Sequence, residues 1–255
     1  MTNRLKEKLV NGQRPLGTFV QLGGTAIVEC LALAGLDYII LDTEHGPGDV
    51  GSVLPQLIAA ERHGLTPLVR LQDGSRASIM RMLDSGAQGL VLPFVNSVQE
   101  AQQLVRYGKY APLGERGFGP ARGSGFTHAA GVQDLGSYLD ACNREILLLP
   151  QCETRACLEH IEDIVGVPGV DGILVGPFDL SIALGRPGAF ADAAFQAALA
   201  RILAACQQTG KFCFIYADRK TARHRFDQGF DSVATSVDTL ECIAAYQALV
   251  TEVRG

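Results

Sequence analysis

Several familiar signatures are missing from this sequence. None of its seven cysteines (30, 142, 152, 157, 206, 213 and 242) forms a C-x-x-C pair, and their number is odd and their spacing irregular. That excludes a disulfide framework and a zinc knuckle, and points to buried free thiols in mostly apolar contexts. Cys152, beside Glu153, is the one candidate for thiol chemistry. No apolar run approaches the roughly 18 residues of a membrane span. The opening stretch, MTNRLKEKLVNGQRP, lacks the apolar core of a signal peptide, so a cytoplasmic location is expected. Basic excess is absent too: the formal charge is −5 and the pI about 5.5. This argues against nucleic acid and anionic membrane as partners, since neutralising phosphate takes clustered Lys and Arg. Lysine itself is scarce, at positions 6, 8, 109, 211 and 220. Lys211 opens a predicted strand rather than ending one, and only Lys220 lies past a strand end. A Schiff-base mechanism therefore has no obvious lysine, which turns carbanion chemistry towards a metal ion.

What is present is a rhythm. Short apolar runs alternate with helical patterns, with no linker or low-complexity segment between them. Runs are expected at 16–22, 37–42, 67–71, 89–95, 145–149, 170–175, 211–216 and 231–235. Helical patterns follow at 25–33, 49–62, 76–84, 98–106, 155–165, in segments up to 208, then at 221–228 and 239–253. Eight βα units in 255 residues predict a single α/β domain over 1–255, a (β/α)8 TIM barrel. The runs lack polar alternation, as expected of parallel strands covered on both faces. An open doubly wound sheet is the alternative, weakened by the absence of G-x-G-x-x-G after the first strand. One segment, 108–127 (GKYAPLGERGFGPARGSGFT), is glycine-rich and carries Arg116 and Arg122. It has no G-K-[ST] ending, so it is not a nucleotide loop. Its length suggests either a surface excursion or a lid over a site.

In such a barrel the chemistry belongs at the C-terminal ends of the strands. Asp42, Glu44 and His45 end the second run, Arg70 the third, and Glu153 follows the fifth. The sixth run leads through Gly176 and Pro177 into a helix start carrying Asp179. Glu153 and Asp179 are metal-ligand candidates, because unpaired acids beside buried strands are costly unless a cation compensates. Two carboxylates without Cys or paired His favour a hard ion such as Mg²⁺ or Mn²⁺, with water or substrate completing the shell. Salt bridging is the competing reading, and for Asp179 helix capping. His45 is a general-base candidate, with Asp42 or Glu44 near enough to fix its tautomer. The planar fork of Arg70 suits a carboxylate or an enolate oxygen, the alternative being a structural ion pair with Glu44 or Asp84. The remaining histidines lie on predicted helices or loops without a comparable setting.

The stretches LDTEHGPGD, PLVR, LVLPFV, QCET and GVDGILVGPFDLSIALG together resemble the HpcH/HpaI aldolases. These are metal-dependent class II pyruvate aldolases of the phosphoenolpyruvate/pyruvate barrel superfamily. The likeness runs in order from about residue 14 to 250. It implies a (β/α)8 barrel with a divalent ion (Mg²⁺ or Mn²⁺, with Co²⁺ a further option) on Glu153 and Asp179. It implies that Arg70 stabilises a pyruvate enolate and that His45, oriented by Asp42, moves the proton; Asp84 completes the catalytic set. Gln151, Gly176, Pro177, Phe178 and Asp179 would bind the oxo acid, its carboxylate on the amides of Phe178 and Asp179. A homohexamer, a trimer of dimers exchanging C-terminal helices, is implied as well. Pro150, Cys152 and the seventh-run residues Phe214 and Tyr216 depart from the usual pattern, so the aldehyde cannot be carried over. The expected reaction is reversible cleavage of a 4-hydroxy-2-oxo acid to pyruvate and an aldehyde, small molecules being the only partners besides other copies of the chain. A CoA-thioester lyase of the citrate-lyase β type, an oxaloacetate decarboxylase and a non-catalytic oxo-acid sensor are the alternatives.

Overall fold

The structure is a computed structural model describing residues 2–255. Eight parallel strands close into a barrel in sequence order: β1 Leu16–Val20, β2 Tyr38–Asp42, β3 Thr66–Arg70, β4 Gly89–Leu92, β5 Leu147–Cys152, β6 Gly172–Val175, β7 Phe212–Ala217 and β8 Ser232–Val237. Closure, with β8 paired to β1, rules out the open-sheet alternative. Between the strands run α2 Thr25–Leu33, α3 Val50–His63, α4 Arg76–Asp84, α5 Val98–Gly108, α6 Leu135–Glu145, α7 Arg155–Glu159, α8 Ile161–Val165, α9 Pro177–Ala183, α10 Ala193–Thr209 and α11 Ala222–Asp227. A first helix, α1 Arg4–Val10, precedes the barrel, and α12 Asp238–Arg254 ends the chain.

The strands are apolar on both sides because each side has its own core. Phe19, Tyr38, Ile40, Leu68, Val91, Leu147, Leu149, Leu174 and Phe214 fill the barrel interior. The alternate residues, such as Ile39, Leu41, Val69, Leu90, Leu148 and Ile173, pack outward against the helices. This is the period-2 division of a strand between two apolar layers. Gly17 shows how tightly the interior is filled: a Cβ there would stand 2.5 Å from the ring of Tyr38. That ring is fully buried and its hydroxyl bonds Ser232 Oγ at 2.9 Å.

Three local readings are revised by the structure. The fifth strand begins two residues later than its apolar run, because Glu145 still belongs to α6. It pairs with β6 only at Gln151 and Cys152, after Pro150, which has no N–H to give. The expected helix 155–165 is two short helices turning at His160. Helix α1 has no counterpart in the expected pattern. Its N-cap Asn3 bonds the Lys6 amide, and its Leu5 and Leu9 plug the lower end of the interior.

The glycine-rich segment does not cover the mouth of its own barrel. It lies between α5 and α6, on the connection from β4 to β5, and its contacts are at the end where strands begin. Arg116 bonds Asp84 at 2.8 Å, Arg122 bonds the Ser85 carbonyl and Glu61, and Tyr138 bonds the Gly123 carbonyl. Five of the seven cysteines are buried and all are unpaired, Cys30 and Cys242 being the exposed ones. No helix among the described residues is long and apolar enough to cross a membrane.

Gly17→Ala is expected to destabilise the protein by about 1–3 kcal/mol, since neither the Tyr38 ring nor the strand can yield. The urea midpoint of the variant measures it.

Candidate active site

The upper end of the barrel holds a cavity of about 310 Å³. Asp42, His45, Arg70, Gln151, Gly176, Pro177, Phe178 and Asp179 line it, together with Phe19, Gln21 and Tyr216. Eight of the ten residues singled out in the sequence therefore converge there. Glu153 lies just beneath, buried. The tenth, Asp84, does not reach the mouth. Helix α4 runs antiparallel to the strands, so its last residue sits at the opposite end, bonded to Arg116.

Asp42 and Arg70 are direct register partners at the ends of β2 and β3. The guanidinium grips the carboxylate with both arms, Nε to Oδ1 at 2.9 Å and Nη2 to Oδ2 at 2.7 Å. Burial pushes the Asp42 carboxyl up, but the two bonds and charge of Arg70, aided by Gln21, hold it below the ordinary range. The guanidinium also lies 4.8 Å from the centre of the Phe19 ring, a cation–π contact. The structural ion-pair reading of Arg70 is thus partly realised, with Asp42 and Glu44 as partners and not Asp84.

The implied orientation of His45 by Asp42 takes a different form. Asp42 Oδ1 accepts from the backbone amides of Glu44 and His45, at 3.1 and 3.3 Å, and Oδ2 from Gln21 Nε2 at 2.8 Å. With Arg70 these donors occupy both oxygens, so Asp42 fixes the loop and leaves the imidazole free. The ring is 61% exposed, its Nε2 3.9 Å from Glu44 Oε2. The turn is tight: a Cβ on Gly46 would lie 2.4 Å from the Asp42 carbonyl oxygen.

Glu153 is 2% exposed. Its Oε1 accepts from the Phe94 amide at 2.8 Å, and its Oε2 from Gln151 Nε2. Burial, with the nearby charges of Glu44 and Asp179 adding, pushes its carboxyl up to about 7 despite these two donors. Gly176 lets the next strand end approach, since a Cβ there would stand 2.4 Å from Glu153 Oε2. Pro177 starts α9 at the position where a missing N–H costs nothing. Asp179 lies in the first turn but makes no capping bond, so the capping reading fails. Cys152 is fully buried, and its thiol is pushed well up by a hydrogen bond with Cys157 and by burial, which removes it as a nucleophile.

These donors fit a hard divalent ion. The charge of Asp179 is near enough to raise the Glu153 carboxyl, and Gln151 Oε1 is a buried oxygen with no hydrogen-bond partner. The Gln151 oxygen is an acceptor awaiting a positive group, whereas Glu44 Oε2 already has Arg70 Nη1 at 3.0 Å. Among the described residues no three His, Cys, Asp or Glu side chains form a closed cage. Magnesium-type ions commonly take one or two carboxylates and fill the rest from water and substrate.

Sequence reasoning passed over Gln21 and Phe94. Gln21 follows a strand end, so the strand-end rule could have found it; Phe94 acts through its backbone, which leaves no residue-type signal. Of the two bulky seventh-strand residues, Phe214 faces inward against Tyr38, with ring centres 6.0 Å apart, and only Tyr216 reaches the cavity.

The model of the HpcH/HpaI aldolase/citrate lyase family matches residues 16–245. A hydroxypyruvate/pyruvate aldolase of Paraburkholderia phytofirmans is 36% identical, covering 100% of this chain and 98% of the relative. A 2-keto-3-deoxy-L-rhamnonate aldolase of Salmonella gallinarum is 34% identical over 94% and 89%. The crystal structure of an HpcH/HpaI aldolase/citrate lyase family protein from Burkholderia cenocepacia superposes with a TM-score of 0.91 at 32% identity, covering 100% of both chains.

Glu153→Gln is expected to stabilise the metal-free protein at pH 8. A carboxyl raised from 4.5 to about 7 favours folding less and less as pH climbs through that window. The cost removed is on the order of 3 kcal/mol. Melting temperatures in EDTA should therefore separate at pH 8 and draw together at pH 5.

Proposed function

Since the chain belongs to the HpcH/HpaI aldolase/citrate lyase family and is an aldolase, a carbon–carbon lyase, we propose that it reversibly cleaves a 4-hydroxy-2-oxo acid into pyruvate and an aldehyde. The observation that carries this reading is the Arg70 guanidinium, locked by Asp42 and aimed into the same cavity as Gln151 and the Gly176–Asp179 turn. Aldolases of this family generally need a divalent cation. Glu153 and Asp179 would hold it here, and Mg²⁺ or Mn²⁺, with Co²⁺ a further option, matches the all-oxygen donor set. When bound, the ion supplies Lewis-acid polarisation of the 2-oxo group and a template for the oxo acid.

The residues of the chain do the rest. Phe178 and Asp179 lie in the first turn of α9, whose amides have no partner within the helix and serve the substrate carboxylate. Gln151 lies against the oxo acid. His45, exposed beside Glu44, takes the proton of the C4 hydroxyl. The C3–C4 bond then breaks, its electron pair passes into the pyruvate enolate, and the aldehyde leaves. Arg70 holds the enolate oxygen with N–H groups fixed before reaction, the arrangement that makes electrostatic stabilisation effective. Protonation at C3 yields pyruvate. A free oxo acid, rather than a CoA thioester, is favoured by a cavity of only about 310 Å³.

Helix α12 supports the assembly reading. Only Asp238 of its seventeen residues is buried, while Leu240, Ile243, Tyr246, Leu249 and Val253 are each at least half exposed. So much unpartnered apolar surface marks an interface, and exchange of this helix between subunits of a homohexamer, a trimer of dimers, would cover it. The chain would then act as one barrel domain over 1–255 that lends its last helix to a neighbour. A cytoplasmic location fits seven unpaired cysteines.

Proton NMR of pyruvate in D₂O tests the chemistry. Loss of the methyl signal is expected with Mg²⁺ or Mn²⁺ (Mn²⁺ samples read after metal removal) and not with EDTA. Arg70→Lys, which keeps the charge but loses the fork, should slow it by at least about 100-fold. No exchange with any divalent ion, together with no cleavage of 4-hydroxy-2-oxo acids, overturns the reading and turns attention to CoA thioesters. For the assembly, light scattering should give about six times 27.2 kDa, and Ile243→Glu with Leu249→Glu should lower that mass.

A further inference from the structure

Phe94 stands just beyond β4 with a φ of 54°. This left-handed conformation is rare for a bulky side chain and is kept only where the surroundings impose it. Packing of the ring does not account for it, because Phe94 is 60% exposed. What the turn achieves lies in the backbone: held in this conformation, its Phe94 amide donates to Glu153 Oε1, at 2.8 Å.

Three side chains hold the turn. Asn96 Nδ2 donates to the Phe94 carbonyl at 2.7 Å. Thr154, the residue after Glu153, donates from Oγ1 to the Val95 carbonyl at 3.0 Å. Glu100 Oε2 accepts from the amides of Asn96 and Ser97, at 2.6 and 3.2 Å. The other side of the Glu153 carboxylate is closed by Gln151 Nε2 and by the backbone of Gly176. A buried carboxylate is thus pinned from two strands, and one of the pins is a strained peptide unit.

We propose that Phe94 is a positioning residue: the strained turn 93–97, clamped by Asn96, Thr154 and Glu100, fixes the rotamer of Glu153 for a divalent cation. The inference rests on the reading of Glu153 as a metal ligand. Groups that orient a ligand side chain commonly change metal affinity 10- to 100-fold when lost. The amide belongs to the backbone, so what position 94 controls is how readily the chain holds a positive φ. Glycine holds it freely, phenylalanine with strain, and a β-branched residue worst of all.

The test is Mn²⁺ affinity of the metal-free protein, from free Mn²⁺ measured by electron paramagnetic resonance, with melting temperatures recorded alongside. Phe94→Gly should bind Mn²⁺ at least as tightly as the wild type. Phe94→Val should bind about 10-fold more weakly. Asn96→Ala, which releases the clamp, should weaken binding similarly, and adding Phe94→Gly to it should restore affinity. A flat affinity across the folded variants, or no rescue by glycine, overturns the proposal. A wild-type protein that binds no Mn²⁺ overturns the metal reading itself, a result distinguishable from the others because it precedes any substitution.

Discussion

The buried pair of Asp42 and Arg70 is the contact on which the site is built. It joins neighbouring residues of adjacent strands, so its geometry follows from the register of β2 and β3. Charges that leave water repay the cost only when geometry is good and every remaining polar atom is used. Asp42 meets that condition through the guanidinium, the Gln21 amide and two backbone N–H groups. The outcome reaches beyond stability. The loop bearing Glu44 and His45 is tied to the same carboxylate, and Arg70 is held against the cavity without a search among rotamers.

Around this pair the electrostatics divide. Asp42 is held ionised by a permanent cation, whereas Glu153, a few residues away across the mouth, is driven up towards neutral pH by burial and by other acids. Two carboxylates in one site thus have opposite preferences because one has its counter-charge in the protein and the other does not. The unpaired oxygen of Gln151 lies on the same unsatisfied side. That asymmetry is what a cation-binding half and an anion-binding half of a single cavity require. In the proposed reading the oxo acid bridges the two, and the protein keeps their preparation separate: a salt bridge for Arg70, and a strained turn and an amide for Glu153.

The two ends of the barrel are built for different purposes. At the lower end α1 closes the interior, and polar groups are consumed internally. Lys109 is almost wholly buried, its Nζ bonding the carbonyls of Asn143 and Ile146 and the carboxylate of Asp171. Burial pushes that ammonium down while Asp171 opposes the shift. The glycine-rich segment adds Arg116 on Asp84 and Arg122 on Glu61. At the upper end the side chains are left with unfilled bonding capacity. Ion pairs that tie elements together below and a cavity lined by acids, His45 and Arg70 above express the usual separation of stability and chemistry in this fold.

Much of this was written locally in the chain. Apolar runs without alternation specify buried parallel strands, their abrupt ends at Asp42, Arg70, Glu153 and Gly176 mark the mouth, and the motifs identify the family. Those features depend on composition and near neighbours, so no folding is needed to see them. The rest was decided by closure of the barrel. Register, a long-range property, gave Arg70 the carboxylate of Asp42 and so took that carboxylate from the His45 ring. The antiparallel run of the helices placed Asp84 and the glycine-rich segment at the opposite end from the cavity. Helix α1 could be understood only once there was a barrel end for Leu5 and Leu9 to fill. Phe94 acts through a main-chain amide whose direction no side chain encodes. Residue type states what chemistry a position offers, while the distances between strand ends decide which offers meet.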